Sequence, residues 1–290
     1  MKDELDSLLE PLYGAKIESS FATHGGSINQ TQVLVLTNGV RVFMKQNSNP
    51  PTDFFLTEAK GLRLLSQANK GPRIPKPIAI QSGSTPTFLL LEHIENSSED
   101  KKFAERFAQS LAELHRVSQE SFGLDHNNFI GSTPQKNQME KDGIVFFRDH
   151  RIDFQRKLAR QKGLLPTTTD KKIESLCENL ASFLNLTGEP PALMHGDLWS
   201  GNYFPDSEGK PCIFDPAVYY GLREADLAMT ELFGKLPQRF YDAYQEAFPM
   251  NPGYKERKDL YNLYHLLNHL NLFGSSYLSS VQQVIKRYVN

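Results

Sequence analysis

Met194-His195-Gly196-Asp197-Leu198-Trp199-Ser200-Gly201-Asn202 is followed downstream by Ile213-Phe214-Asp215-Pro216. In the second segment two apolar residues lead into an acid. A short strand of that kind would carry the acid out of the core and into a cleft. Asp197, Asn202 and Asp215 together supply only oxygen ligands and one base. Oxygen donors suit a hard cation such as Mg²⁺, which takes few carboxylates and completes its shell with phosphate oxygens and water. Taken singly, each of these residues reads as a turn or a cap, because Asp and Asn are common in loops. The joint pattern carries more, since it requires further parts at set places upstream.

Outward from this segment the chain changes character near residue 96. Before it, Thr31-Leu36 and Val40-Lys45 are β-branched and apolar and flank Thr37-Asn38-Gly39. Asn-Gly between two such runs signals a hairpin. Lys16-Phe21 precedes them as a third strand. Phe54-Ala68 places Phe55, Leu56, Ala59, Leu62 and Leu65 at a helical period until Pro72, Pro75 and Pro77 break it. Ile78-Gln81 and Phe88-Glu92 read as two more strands around Ser82-Gly83-Ser84. The order β-β-β-α-β-β predicts an antiparallel sheet carrying one helix. After residue 96, Lys102-Val117 is helical, with Phe103, Phe107, Leu111 and Leu114 on one face. Residues 119–138 read as a long loop, 139–162 and 170–186 as helices, and 191–217 as a compact strand-and-loop segment. Helices follow over 223–234, 237–248, 254–273 and 275–288. The polar Glu95-Asp100 serves as linker. The expectation is an α+β chain of two lobes, residues 1–94 and 95–290, with a cleft between them.

Composition narrows the function. The chain has 290 residues, 39% hydrophobic and 23% charged, as in ordinary globular proteins. Lys and Arg number 32 against 34 Asp and Glu, so the basic excess of a nucleic-acid binder is missing. No apolar run approaches the roughly 20 residues that cross a bilayer, and Met1-Glu10 lacks the basic start and apolar stretch of a signal peptide. Two cysteines, Cys177 and Cys212, give no disulfide framework or zinc spacing. A cytoplasmic protein, monomeric or weakly dimeric, without membrane or nucleic-acid partners, is expected. There is no Walker P-loop, no dinucleotide G-x-G-x-x-G, no H-E-x-x-H and no G-x-S-x-G.

The spacing H-x-D-x-x-x-x-N with a later strand-end Asp matches the core of protein-kinase-like phosphotransferases. That match assigns Asp197 to the proton of an attacking hydroxyl, and Asn202 and Asp215 to Mg²⁺ against the phosphates of ATP. Lys45, ending a strand of the first sheet, would hold the α- and β-phosphates. Glu58 on the following helix would steady it. The turn Gly25-Gly26-Ser27 would cover the phosphates with its backbone N–H groups. Glu92, His93 and Ile94, where the lobes join, would receive adenine. Alone, a strand-end lysine is usually solvated, and a Gly-Gly pair is usually a turn.

His195-Gly196-Asp197-Leu198-Trp199-Ser200-Gly201-Asn202 resembles the signature of the fructosamine, or ketosamine, kinases, in the aminoglycoside phosphotransferase-like branch of the kinase fold. Supporting matches run along nearly the whole chain: Gly25-Gln30, Phe43-Lys45, Glu58-Ala59, Leu91-His93, Phe122-Gly123, Phe146-Arg151, Asp215-Ala217, Tyr220-Gly221 and Asn268-Gly274. The resemblance implies ATP-dependent phosphorylation of a ketoamine, free or on a protein lysine, typically at the sugar 3-hydroxyl. Ser27 stands where some relatives carry Cys, so thiol control through that turn is not expected. Trp199 would either stack on the acceptor or anchor its loop. Asp149, His150 and Arg151 would reach the cleft from a helix, and Asp226 would hold the catalytic loop by hydrogen bonds. A choline- or aminoglycoside-type kinase and a nucleotide-binding pseudokinase are the alternatives, the latter opposed by the intact set Lys45, Glu58, Asp197, Asn202 and Asp215.

Overall fold

Gly39, at φ 83°, closes the Asn38-Gly39 turn and lets the two strands on either side of it pair. The computed structural model describes residues 1–23, 28–81, 87–186 and 188–289. Strands β1 (Ile17–Ala22), β2 (Gln30–Leu36), β3 (Arg41–Asn47), β4 (Pro77–Gln81) and β5 (Thr87–Glu92) form one sheet in the order β1-β2-β3-β5-β4. Every neighbouring pair in it is antiparallel.

Side-chain alternation decides what each face of this sheet holds. On β3, Val42 and Met44 join Phe88 and Leu90 of β5 in a core closed by Leu5 and Leu9 of helix α1 (Lys2–Tyr13). Leu89 and Leu91 face the other way, into the core of helix α2 (Phe54–Leu65). Lys45 pairs with Leu89, so its parity sends it to the α2 side, beneath Glu58. The sheet therefore carries two helices where the sequence suggested one. The additional one is the acidic, amphipathic N-terminal segment.

The second lobe is mainly helical. Helix α3 (Phe103–His115) buries Phe103, Phe107, Leu111 and Leu114 completely, each worth about 1.5–3 kcal/mol of hydrophobic stabilisation, and packs against α9 (Gln238–Ala247). The 20-residue α10 (Tyr254–Phe273) forms the centre of the larger core. It packs against α8 (Glu224–Leu232), α5 (Phe154–Gln161) and α11 (Leu278–Ile285).

Local details depart from the sequence reading. The segment read as a loop, 119–138, contains a small hairpin, β6 (Asn128–Ile130) and β7 (Thr133–Gln135). The helix expected over 139–162 is instead α4 (Gly143–Phe147), a π-helical turn (Arg148–Asp153) and α5. The helix expected over 170–186 starts at Thr167 and is divided at Asn179 into α6 (Thr167–Glu178) and α7 (Leu180–Leu184). The last helix is preceded by a short 3-10 turn, Ser275–Tyr277. Among the described residues no helix is long and apolar enough to cross a membrane.

Four short strands carry the motif segment: β8 (Ala192–Met194), β9 (Tyr203–Pro205), β10 (Pro211–Ile213) and β11 (Tyr219–Gly221). The linker is tied down here. Ser97 donates its N–H to the Pro205 carbonyl at 2.8 Å and its hydroxyl to the Asp206 carbonyl at 2.7 Å. Arg73 bridges the lobes, with 2.8 Å contacts to Glu92 at the end of β5 and to Asp206.

Candidate functional site

Antiparallel pairing brings the motif residues together. Because Ile213 pairs with Tyr203 and Tyr219 with Met194, the loop leaving β8 and the loop entering β11 lie side by side. Asn202 immediately precedes β9 and Asp215 follows β10. The Phe214 N–H donates to the Asn202 carbonyl at 3.1 Å. Asp215 adopts φ 56°, a left-handed conformation that Asp tolerates better than most residues.

Lys45 is buried, and its Nζ donates to Glu58 Oε1 at 2.5 Å and to Asp215 Oδ1. Burial would favour the neutral amine, but the Asp215 and Glu58 carboxylates outweigh it and keep the ammonium. Burial pushes Glu58 up, with Lys45 opposing. Asp197 lies in the same cleft. Burial, then the Asp215 and Asp226 charges, push it up to about 7, against the Asn202 amide. Asn202 Nδ2 donates to the Asp197 carbonyl at 2.8 Å and to Asp197 Oδ2 at 3.3 Å. Both contacts use the amide nitrogen and leave its Oδ1 to act as a ligand. Two carboxylates share the Lys45 ammonium, and a third, Asp197, lines the same cleft. That imbalance, and a donor set made only of oxygen, suit a hard divalent cation whose remaining ligands come from phosphate and water. No cluster of three or more His, Cys, Asp or Glu residues that could hold a metal by itself occurs among the described residues.

Buried groups around these residues hold the loops in place. Asp226, on α8, accepts the His195 N–H at 2.7 Å and the Gly196 N–H at 2.9 Å. Burial would raise it, but His115, His195 and the Gly196 N–H hold it below the usual carboxylate range. His195 Nδ1 accepts the Asp197 N–H at 3.3 Å, so Nε2 carries the proton that bonds the Phe214 carbonyl at 2.9 Å. Burial lowers this imidazole's affinity for a second proton. A neutral His195 therefore bridges the loop of Asp197 and the strand end before Asp215. Gly196, at φ 83°, is required by close approach: a Cβ there would lie 2.1 Å from the Ala217 carbonyl oxygen.

Trp199 is 38% exposed and lines the cleft. Its indole folds back over Gly201, whose Cβ position lies 2.3 Å from the ring. Ser200 fixes the loop by donating to the Phe233 carbonyl at 2.9 Å.

Other expected residues lie outside the pocket that Lys45 and Asp197 line. Glu92, His93 and Ile94 do not line the cleft pocket, and the Glu92 carboxylate is taken by Arg73. Asp149 and His150 do not reach it either. Asp149 pairs at the surface with Arg148 at 2.6 Å, and His150 Nε2 lies 3.5 Å from Glu140. Within this π-helical turn it is Arg151 that points inward, fully buried. Gly25, Gly26 and Ser27 lie outside the described residues. Asn128, Phe129 and Gly131 of the small hairpin line the cleft and were missed by the sequence reading. Their only local signal is the β-prone Phe129-Ile130 ahead of Gly131. Phe129 packs on Phe54 of α2 at 5.3 Å between centroids, and Gly131 at φ 58° lets Ile28 and Leu272 close in.

A family model described as fructosamine kinase matches residues 1–290. A protein of Synechocystis sp. assigned as a ketoamine kinase is 40% identical over 276 residues, covering 94% of this chain and 90% of its own. The chloroplastic protein-ribulosamine 3-kinase of Oryza sativa subsp. indica is 39% identical over 280 residues, covering 94% and 80%. A crystal structure from Haemophilus somnus, assigned as a fructosamine-3-kinase, superposes with a TM-score of 0.87 at 30% identity, covering 98% and 96%. An aminoglycoside phosphotransferase bound to ADP shares the fold, with a TM-score of 0.62 at 17% identity, covering 99% and 97%.

Proposed function

Because the chain belongs to the fructosamine kinase family, we propose that it transfers the γ-phosphoryl group of ATP to a sugar hydroxyl, the 3-hydroxyl, of a ketoamine. The acceptor is a free ketoamine or a glycated protein lysine. The observation that carries this reading is the buried Lys45 ammonium, bonded to Glu58 and Asp215, facing Asp197 and Asn202 across one cleft.

Phosphoryl transfer depends on positioning and charge neutralisation more than on covalent chemistry. Lys45, steadied by Glu58, holds the α- and β-phosphates. Asn202 and Asp215 hold Mg²⁺, which supplies charge neutralisation at the phosphates when bound. Asp197 orients the acceptor hydroxyl and takes its proton, a role suited to a carboxylate raised toward neutrality. Gly25, Gly26 and Ser27 are assigned to the phosphates by their place in the sequence. Adenine is received by the backbone of Glu92, His93 and Ile94, the Glu92 side chain being held by Arg73. Trp199 offers its face to the sugar or to the amine beyond it. The buried, unpaired Cys177 and Cys212, both raised by burial, fit a reduced cytoplasmic setting.

The test is phosphorylation of a panel of lysine adducts of ribulose, fructose and erythrulose, with choline and an aminoglycoside alongside and the modified hydroxyl mapped. Transfer to one or more ketoamines at the 3-hydroxyl is expected. Preferential transfer to choline or the aminoglycoside, or none to any acceptor, would overturn the reading.

A further inference from the structure

The loop that carries Asp215 is clamped from behind by side chains with no part in the chemistry described so far. Ala217 and Val218 precede β11, and their carbonyls are bonded outside any strand ladder. Gln135 Nε2 donates to the Ala217 carbonyl at 3.0 Å, and Asn128 Nδ2 donates to the Val218 carbonyl at 2.8 Å. The Ala217 N–H is meanwhile bonded to the His195 carbonyl at 2.9 Å.

The clamp is itself fixed. Asn128 Oδ1 accepts from Gln135 Nε2 at 2.8 Å and from Asn137 Nδ2 at 2.7 Å. Gln135 Oε1 accepts the Tyr264 hydroxyl at 2.6 Å. Asn137 Oδ1 accepts from Arg151 Nη2 at 2.8 Å. Among the described residues Arg151 has no carboxylate partner. It donates to the Lys136 carbonyl at 2.6 Å and lies 3.9 Å from the centroid of the Tyr219 ring. Gln135, Asn128, Asn137, Arg151 and Tyr264 are all at most 5% exposed. A buried polar network of this kind adds little net stability over apolar packing, but where its groups are satisfied it selects one arrangement, and of the side-chain polar atoms of these five residues only Arg151 Nε is buried without a partner among the described residues. Here that arrangement is the path of residues 215–218, in which Asp215 sits at a positive φ and must aim its carboxylate at Lys45.

We propose that Gln135 and Asn128 are positioning residues that hold Asp215 in its cation-binding orientation through the Ala217 and Val218 carbonyls. The inference rests on the assignment of Asp215 to Mg²⁺ made above. It adds that the affinity of the site for magnesium-bound nucleotide is set by the β6–β7 hairpin of the second lobe.

Trp199, the chain's only tryptophan, lines the same cleft, so its fluorescence can report Mg²⁺-dependent ADP binding without any acceptor. Gln135→Met keeps the length of the side chain and removes its hydrogen bonds. Tyr264→Phe removes only the hydroxyl that aims Gln135. For Gln135→Met, the Mg²⁺ concentration giving half-maximal ADP binding should rise about tenfold. ADP binding without Mg²⁺ should change less than twofold. Tyr264→Phe should shift the Mg²⁺ midpoint the same way by two- to threefold. Turnover should recover at high Mg²⁺, with the acceptor KM unchanged. Parent-like Mg²⁺ midpoints in the folded variants would overturn the proposal, as would equal losses with and without Mg²⁺. If Gln135→Met does not fold, Tyr264→Phe decides alone by the same criterion. Failure of the parent to phosphorylate ketoamines would count against the proposed function and leave the binding measurement valid.

Discussion

Asp197 and Asp215 are both carboxylates of one cleft, but their surroundings separate them. Asp215 bonds the Lys45 ammonium, whereas Asp197 is half-buried beside the Asn202 amide and is pushed up to about 7. Asp197→Ala should lower kcat by a factor of about 10²–10⁴, the range of general acid–base catalysis, with ADP affinity nearly unchanged. Asp215→Ala should weaken Mg²⁺-dependent nucleotide binding instead. Measuring both constants for both variants checks the division, and near-normal turnover of Asp197→Ala would refute the base assignment. Trp199 belongs to the same scale. Its exposure means that truncation leaves no core cavity, so Trp199→Ala should lower Tm only slightly. Loss of a stacking face worth about 1 kcal/mol should raise the ketoamine KM several-fold, with the ATP KM unchanged. A large drop in Tm with all substrates affected together would show that the indole is an anchor.

Helix α2 is where element packing bears on the chemistry. It carries Glu58, and its Gly61 faces the loop of Asp215. A Cβ at Gly61 would lie 3.0 Å from Val218 Cγ2 and 3.8 Å from Pro216 Cγ. Phe54, at the start of the same helix, rests on Phe129 of the hairpin. The helix is therefore wedged against the second lobe with Glu58 already on Lys45. Gly61→Leu should push α2 away from residues 216–218 and loosen the Lys45 contacts. Overpacking of this kind costs about 1–3 kcal/mol, and nucleotide affinity should fall with it. Gly61→Ala sets a helix-propensity gain of about 1 kcal/mol against one tight contact and should stay close to the parent. Titrating ADP into both variants is the check, and full affinity in Gly61→Leu would show that this contact does not set the site.

Across the whole molecule, the proposed nucleotide site is made of pieces from both lobes: Lys45 and Glu58 from the first, Asp215 and Asn202 from the second. A ligand spanning them should stabilise the entire chain. At a concentration 100 times its Kd, a ligand specific to the native state contributes about 2.7 kcal/mol, a rise of several degrees in Tm for a chain of this size. ADP with Mg²⁺ should produce that rise, and chelating the Mg²⁺ should remove most of it. An equal shift with and without Mg²⁺ would contradict the cation roles of Asn202 and Asp215.

Much of this was legible from residues adjacent in the chain. The Asn38-Gly39 turn marked the β2–β3 hairpin, helical periodicity marked α2 and α3, and the spacing from Asp197 to Asn202 with the later Asp215 singled out three residues that share one cleft. These signals are local, because they record which side chains share a face of one element. Residues distant in the chain were another matter. Lys45 and Asp215 are 170 positions apart, and only packing of the lobes decides that they meet. Packing also turned Arg151 inward while leaving Asp149 and His150 outside. It brought Asn128 and Gln135, from a segment with turn-like composition, against the carbonyls behind Asp215. A buried amide is specified by the groups left unsatisfied around it, and those groups come from other elements, so no periodicity in its own segment announces it.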